Sequence, residues 1–195
     1  DKFILSLFNP LFKKLGWNKK KNEPDSTTLL RSLTLLMLGR AGDKKIISEA
    51  KRKFTVIKSG KYIDADIRGV VYVIVATIGR MKEYESFIKL YKKENLHEEK
   101  NRIGNALGSF RDVNILKKVC NFSITKDVRP QDAFFIFSYV GRNLLGRDIW
   151  LNFIEKNWKT LLSLYGNGGH ALSSIVKAIS NSSEKKHLEK FKKFF

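Results

Sequence analysis

A single cysteine, Cys120, is the only thiol in the 195 residues, so no internal disulfide can staple the fold. It lies in an apolar stretch, Val119-Cys120-Asn121-Phe122, and reads as a small core residue rather than a nucleophile. A chain without paired cysteines suits a reducing compartment, and cytoplasmic residence is the expectation. Long apolar runs are missing as well. The best candidate, Val70 to Ile78, is bounded by Arg68 and Arg80 and falls well short of the roughly 20 residues of a membrane span. No signal-peptide pattern opens the chain. It starts at Asp1 inside an amphipathic pattern, so a segment of a longer polypeptide is expected. Acidic residues are scarce, with 19 Asp and Glu against 38 Lys and Arg and a net charge of +19. Such an excess suits an anionic partner: nucleic acid, a membrane surface or an acidic protein face. Most of it is lysine, scattered singly and in short runs, whereas a nucleic-acid groove concentrates arginines with exposed aromatics. A solvated basic surface is the favoured reading.

Catalytic constellations are missing too. His97-Glu98-Glu99-Lys100-Asn101 begins like the zinc-protease HExxH, but that motif needs two histidines one helical turn apart, and Asn101 stands in the second place. The segment reads as an exposed first helical turn, with Glu98 and Glu99 favoured there by the helix dipole. His170 and His187 have no acidic or cysteine cluster beside them. Gly141 to Gly146, followed by Arg147 and Asp148, has the outline of a phosphate-binding loop. It lacks the lysine, the magnesium-binding hydroxyl and the preceding strand. Gly166-Asn167-Gly168-Gly169 reads as a helix terminator. Ser173 and Ser174 have no base at readable spacing. No catalytic residue and no metal ligand is expected in this segment.

What is present is helical punctuation. Hydrophobic residues make up 43% of the chain, enough for a core. Phe3, Leu7, Leu11 and Leu15 recur at helical spacing, with Pro10 expected to kink or divide that helix and Gly16 to end it. Asp25 or Ser26 is expected to cap a helix over 27–38 whose apolar residues surround it, which predicts burial on most sides. Asp43 caps the next helix, with Ile46, Ile47, Ala50 and Phe54 marking its apolar face. Asp64 or Asp66 opens a β-branched helix through Ile78. Further helices follow around Tyr84 to Tyr91, His97 to Leu107, and Val113 to Phe122 behind Asp112. Then comes the unit from Val128 to Gly166: a helix begun at Arg129-Pro130-Gln131-Asp132, a glycine-bounded turn, and a second helix carrying Trp150. If that helix ran on, Trp158 would share its face. Residues 169–180 and 184–194 predict two last helices. Helices of about 10–15 residues joined by short turns are ordinary for all-α packing. The expected class is all-α: antiparallel helix pairs stacked into a curved α-solenoid of the HEAT or armadillo kind.

These blocks carry a resemblance. Leu15-Gly16-Trp17 with Leu29-Leu30-Arg31, Ile47 through Phe54, and Asp66-Ile67-Arg68 with Val71-Tyr72 are followed by Glu99 through Ile103 with Ala106-Leu107-Gly108. Val128 through Asp132 comes next, then Gly146-Arg147 with Trp150, Phe153, Asn157, Trp158 and Tyr165-Gly166. In that order the chain resembles, over essentially its whole length, the C-terminal helical domain of the gluzincin zinc aminopeptidases. That group includes the puromycin-sensitive, tricorn-cooperating and endoplasmic-reticulum enzymes.

The resemblance implies one helical domain, 1–195 or most of one, belonging to a longer zinc metallo-aminopeptidase that removes N-terminal residues from peptides. The zinc and the exopeptidase motif would sit in an upstream catalytic domain of the same chain, and no cofactor would sit here. The helical domain would form a bowl over the active site, enclose the peptide substrate and move between open and closed arrangements. It also implies that the turn after the Ala106-Leu107 helix and the start of the Gln131 helix face the chamber. The candidate substrate-binding residues are therefore Ser109, Phe110, Arg111 and Gln131. Some relatives place an arginine near Ser109, and Arg111 stands close enough in sequence to substitute for it. Neither a membrane nor nucleic acid is expected as a partner. The competing reading is a stand-alone basic α-solenoid holding nucleic acid or an acidic protein.

Overall fold

The computed structural model describes residues 1–61, 63–166, 172–174 and 185–194, and all regular structure among them is α-helical. In chain order the helices are α1 (Lys2–Leu15), α2 (Asp25–Arg40), α3 (Lys44–Lys58), α4 (Ala65–Ile78), α5 (Met81–Lys93) and α6 (His97–Leu107). They continue with α7 (Val113–Ser123), α8 (Pro130–Arg142), α9 (Arg147–Lys156), α10 (Trp158–Tyr165) and α11 (Lys185–Phe194). The all-α expectation is met, and consecutive helices pack as pairs across short connections. The helix expected over 169–180 lies mostly outside the described residues.

Local chemistry sets most boundaries. Asp43 accepts from Lys45 N (2.9 Å) and Ile46 N (3.0 Å) to start α3. Asp112 starts α7 in the same way, from Asn114 N (2.8 Å) and Ile115 N (3.1 Å). Each such cap is worth about 1 kcal/mol. Asp64 rather than Asp66 opens α4, accepting from Asp66 N at 2.9 Å. Two boundaries correct the sequence reading. Helix α2 begins at Asp25 behind Pro24, with no side-chain cap, because Pro24 arrives extended and its φ already suits a helix start. Pro10 sits inside an unbroken α1.

The chain forms two compact units, Asp1–Ala106 and Leu107–Phe195. In the first, α2 packs on α1, and α4 packs on α2 and α3. From Val71 to Thr77 every residue of α4 is buried. That explains a helix of β-branched residues: tertiary burial on all sides outweighs their weak helix propensity. Gly39 of α2 faces Ile74, where an added Cβ would come within 2.5 Å of the Ile74 side chain. Phe54, Tyr72 and Phe87 form an aromatic trio with centroids 4.7–6.1 Å apart. Helix α2 is less enclosed than its composition predicts: Leu29 is 72% and Leu33 47% exposed. Its neighbours cover the Leu35 and Leu38 side, and among the described residues nothing covers the other.

The second unit packs α7 on α8 and α9, and α8 on α9. Its core includes Ile115, Leu116, Val119, Phe137 and Val140, all fully buried. Cys120 is 1% exposed there, and burial pushes its thiol up to about 12. It is a core residue, as expected. The helix carrying Trp150 does not run on to Trp158. It ends at Asn157, whose Nδ2 donates to Phe153 O (2.8 Å), and α10 starts afresh. Trp150 is buried and Trp158 half-buried.

Candidate functional site

In the second unit the chain after α6 makes a tight turn, Gly108 to Asp112, before α7. Three features fix it. Gly108 lies against α8, where a Cβ would stand 2.5 Å from Tyr139 Cβ and 2.7 Å from its carbonyl carbon, so only glycine fits. Phe110 is 0% exposed and anchors the turn in the core. Asn143, just beyond α8, donates from Nδ2 to both Gly108 O (2.8 Å) and Phe110 O (2.8 Å). Its Oδ1 accepts from Leu145 N (3.0 Å). One amide thus ties the turn before α7 to the turn after α8 and satisfies two carbonyls that the turn leaves without helical donors.

Around this tie stand the candidate residues. Ser109 is half-buried and Arg111 exposed. Phe110 points inward, so its role is to hold the turn rather than present a surface. Gln131 is exposed in the first turn of α8. Gly108 meets Tyr139, which stands eight residues beyond Gln131, about 12 Å along a helix. The structure therefore gathers Ser109, Phe110 and Arg111 at the C-terminal end of α8 and leaves Gln131 at the other end. Arg142, which the sequence reading passed over, joins the corner: its guanidinium lies 5.3 Å from the Tyr139 ring centroid, a cation–π geometry. The glycines read as a failed phosphate loop have a steric purpose. A Cβ on Gly141 would be 2.7 Å from the Trp150 ring, and one on Gly146 only 2.1 Å from Val140 O. The corner can offer exposed cationic side chains on a rigid frame; it offers no nucleophile with a base.

At the start of α8, Arg129 donates to Asp132 from Nε (2.7 Å) and from a terminal nitrogen (3.1 Å). Tyr165 OH donates to Pro130 O (2.6 Å), and burial pushes that hydroxyl up to about 12. Arg129 is structural, as its spacing to Asp132 suggests. Arg68 and Arg102 are structural too, but they expose an error about Glu99. That residue is not on an outward turn: its side chain is 3% exposed. It accepts from Arg68 (2.9 Å), Arg102 (2.9 Å) and Tyr72 OH (2.6 Å). Burial, and then the hydrogen bond to Glu99, hold the Tyr72 hydroxyl well above the usual range. A second buried pair joins Arg31 to Glu23, whose side chains are 1% and 5% exposed. The Arg31 guanidinium holds the Glu23 carboxyl down to about 2.

Zinc does not fit the described residues. Among the described residues no group of three His, Cys, Asp or Glu could hold a metal ion. His187 Nε2 is engaged with Asp148 Oδ1 at 2.6 Å, and His97 lies exposed at the start of α6. No helix of the described residues is long and apolar enough to cross a membrane.

Comparison with known proteins gives a family for this helical chain. Residues 1–195 match the family model described as "ERAP1-like C-terminal domain". Aminopeptidase M1 of Arabidopsis thaliana is 28% identical over 97% of this chain and 22% of its own length. Aminopeptidase 2, mitochondrial, of Saccharomyces cerevisiae is 26% identical over 100% of this chain and 21% of its own. Glutamyl aminopeptidase of Bos taurus is 25% identical over 100% of this chain and 20% of its own. The chain spans about a fifth of the length of these relatives. A match along every described helix, from Lys2 to Phe194, places the chain in the ERAP1-like C-terminal domain family.

Proposed function

We propose that these 195 residues are the C-terminal helical domain, or most of one, of a zinc aminopeptidase, and that they enclose peptides while a separate catalytic domain of the same chain cleaves them. The family match over the whole chain carries the reading. Its helix pairs would continue as a curved solenoid that forms the wall and lid of the chamber, with domain closure as the conformational step. The zinc would be held by the catalytic domain, where it would polarise the scissile carbonyl and activate water. This segment contributes no catalytic group. The single thiol, buried as Cys120, suits a reducing compartment such as the cytoplasm.

At the corner beyond α8, Arg111 and Arg142 supply the positive charge that a peptide's terminal carboxylate seeks. Asn143 and Gly108 hold the backbone that presents them. Ser109, half-buried in the same turn, can donate a hydrogen bond. Gln131, at the other end of α8, would reach a different part of a long peptide. Replacing Arg111 by Ala in the full enzyme is expected to raise KM for long peptides about ten-fold, the scale of one hydrogen bond to a charged group. A single-residue chromogenic substrate, too short to reach the corner, should keep its kcat and KM. Equal losses on both substrates would remove the anchoring role.

A further inference from the structure

The first unit contains a cleft of about 290 Å³ unrelated to the corner just described. It opens between the end of α3, the loop into α4, the end of α5 and the body of α6. Four cations line it, Lys58, Lys61, Lys93 and Arg68, against two carboxylates, Glu94 and Glu99. Both carboxylates are engaged. Glu99 accepts from Arg68, Arg102 and Tyr72. Glu94 accepts through one oxygen from Asn95 N (2.8 Å) and Leu96 N (2.9 Å), holding the turn into α6. The three lysines are exposed, and among the described residues none has a carboxylate within 4.0 Å. Lys58 is steered by the Phe54 ring, 5.3 Å from its Nζ. The rest of the lining includes Ile57, Ile63, Leu90 and Ile103. Apolar wall under a basic rim is the chemistry of a site for an amphipathic anion.

The geometry points to a binding site here for a small carboxylate with a short hydrocarbon body, its head among Lys58, Lys61 and Lys93 and its body against the isoleucines and Leu90. The volume is at the low end for ligand sites, which limits the ligand to a few carbons beyond the head. Glu99, already neutralised by two arginines, does not repel the ligand.

The obvious competitor is the diffuse attraction of any anion to a chain of net charge +19. The test therefore compares variants of equal charge, using the 195-residue chain alone, so its outcome does not depend on any peptidase role. Hexanoate is titrated at physiological ionic strength while backbone amide shifts are followed, with hexanamide and inorganic phosphate as partial probes. Shifts should gather at Ile57 to Arg68 and Leu90 to Ile103. Hexanamide, lacking the charge, and phosphate, lacking the body, should each bind about ten-fold more weakly or worse. The pair Lys61→Glu/Lys93→Glu should weaken hexanoate by a similar factor. The control pair Lys44→Glu/Lys45→Glu, which changes two exposed lysines at the start of α3, should change it less than two-fold. Should the reversed pair fail to fold, Lys61→Gln/Lys93→Gln against Lys44→Gln/Lys45→Gln gives the same comparison at a smaller charge change. Equal weakening by cleft and control pairs, or equal binding of the acid and its amide, would overturn the site.

Discussion

In the first unit two carboxylates, Glu23 and Glu99, lie behind arginines and out of water. In the second, the corner around Gly108 is fixed by glycines with no room for a Cβ and by one asparagine amide. Both devices tie segments far apart in sequence. Arg68 is 31 residues from Glu99, and Asn143 is 35 from Gly108. They differ in what can undo them. A buried ion cluster is vulnerable to loss of one partner and to protonation. A steric and amide lock is indifferent to charge and vulnerable to a single methyl group. The surface carrying Arg111 and Arg142 thus stands on a frame whose geometry does not depend on the charges it presents.

The largest effect should follow Glu99→Ala. It leaves Arg68 and Arg102 facing each other and Tyr72 OH without its acceptor. Losing one member of a buried cluster costs about 3–5 kcal/mol. The two arginine side chains keep 17% and 26% exposure, so the lower end, about 3 kcal/mol, is expected. Native-state hydrogen exchange would read it as faster exchange in α4 and α6, with α8 and α9 unchanged. Equal acceleration in both units would break the comparison.

Next comes Gly146→Ala. The new Cβ would meet Val140 O at 2.1 Å, and backbone cannot step aside as a flexible side chain can. A loss of about 2–3 kcal/mol is expected, confined to α8 and α9. A smaller loss, about 1–2 kcal/mol, should follow Asn143→Ala, which removes the side-chain donor from the carbonyls of two buried residues, Gly108 and Phe110. Exchange at Ser109 to Arg111 should rise most. An Asn143→Ala chain that protects those amides as before would show that Phe110 and Gly108 hold the turn alone.

Much of this frame was legible in the sequence, for reasons particular residues make plain. Asp43 and Asp112 announce helix starts because a cap is a local event, settled within three residues. Ile46, Ala50 and Phe54 reveal their shared buried face by spacing, and Ile47, grouped with them, is only half-buried. Glu99 misled because a glutamate in a first turn satisfies the dipole rule whether it faces water or core, and its partners Arg68 and Tyr72 leave no mark nearby. Helix α2 misled because composition shows which residues could be buried, not which neighbours exist to cover them. Gly146 was legible as a turn, but the Val140 carbonyl it clears was not. The Ser109 to Arg111 turn entered only through resemblance to a family. The asparagine that fixes it, and Arg142 beside it, needed the fold.

Acid offers the finest test of the contrast, because it adds no atom larger than a proton. Glu23 has its pKa lowered from 4.5 to about 2, chiefly by the hydrogen bond from Arg31. A lowered folded-state pKa contributes stability in full above 4.5, and that contribution shrinks as pH falls from there toward about 2. The tie between Arg31, the loop before α2 and Leu15 O (3.2 Å from Arg31 Nε) should therefore loosen in that window. The second unit has its own depressed carboxyl, Asp148, lowered first by His187 and then by Lys186. Its side chain is 63% exposed and joins α9 to α11, so acid there should loosen this solvent-screened tie only slightly and leave the corner alone. Once intrinsic exchange rates are divided out, amides near 16–31 should lose protection between pH 6 and pH 3, and those of 108–111 and 143–146 should keep theirs. Equal loss at the corner would mean that the corner also depends on a buried charge, and that the amide tie of Asn143 is a consequence of the fold rather than what secures it.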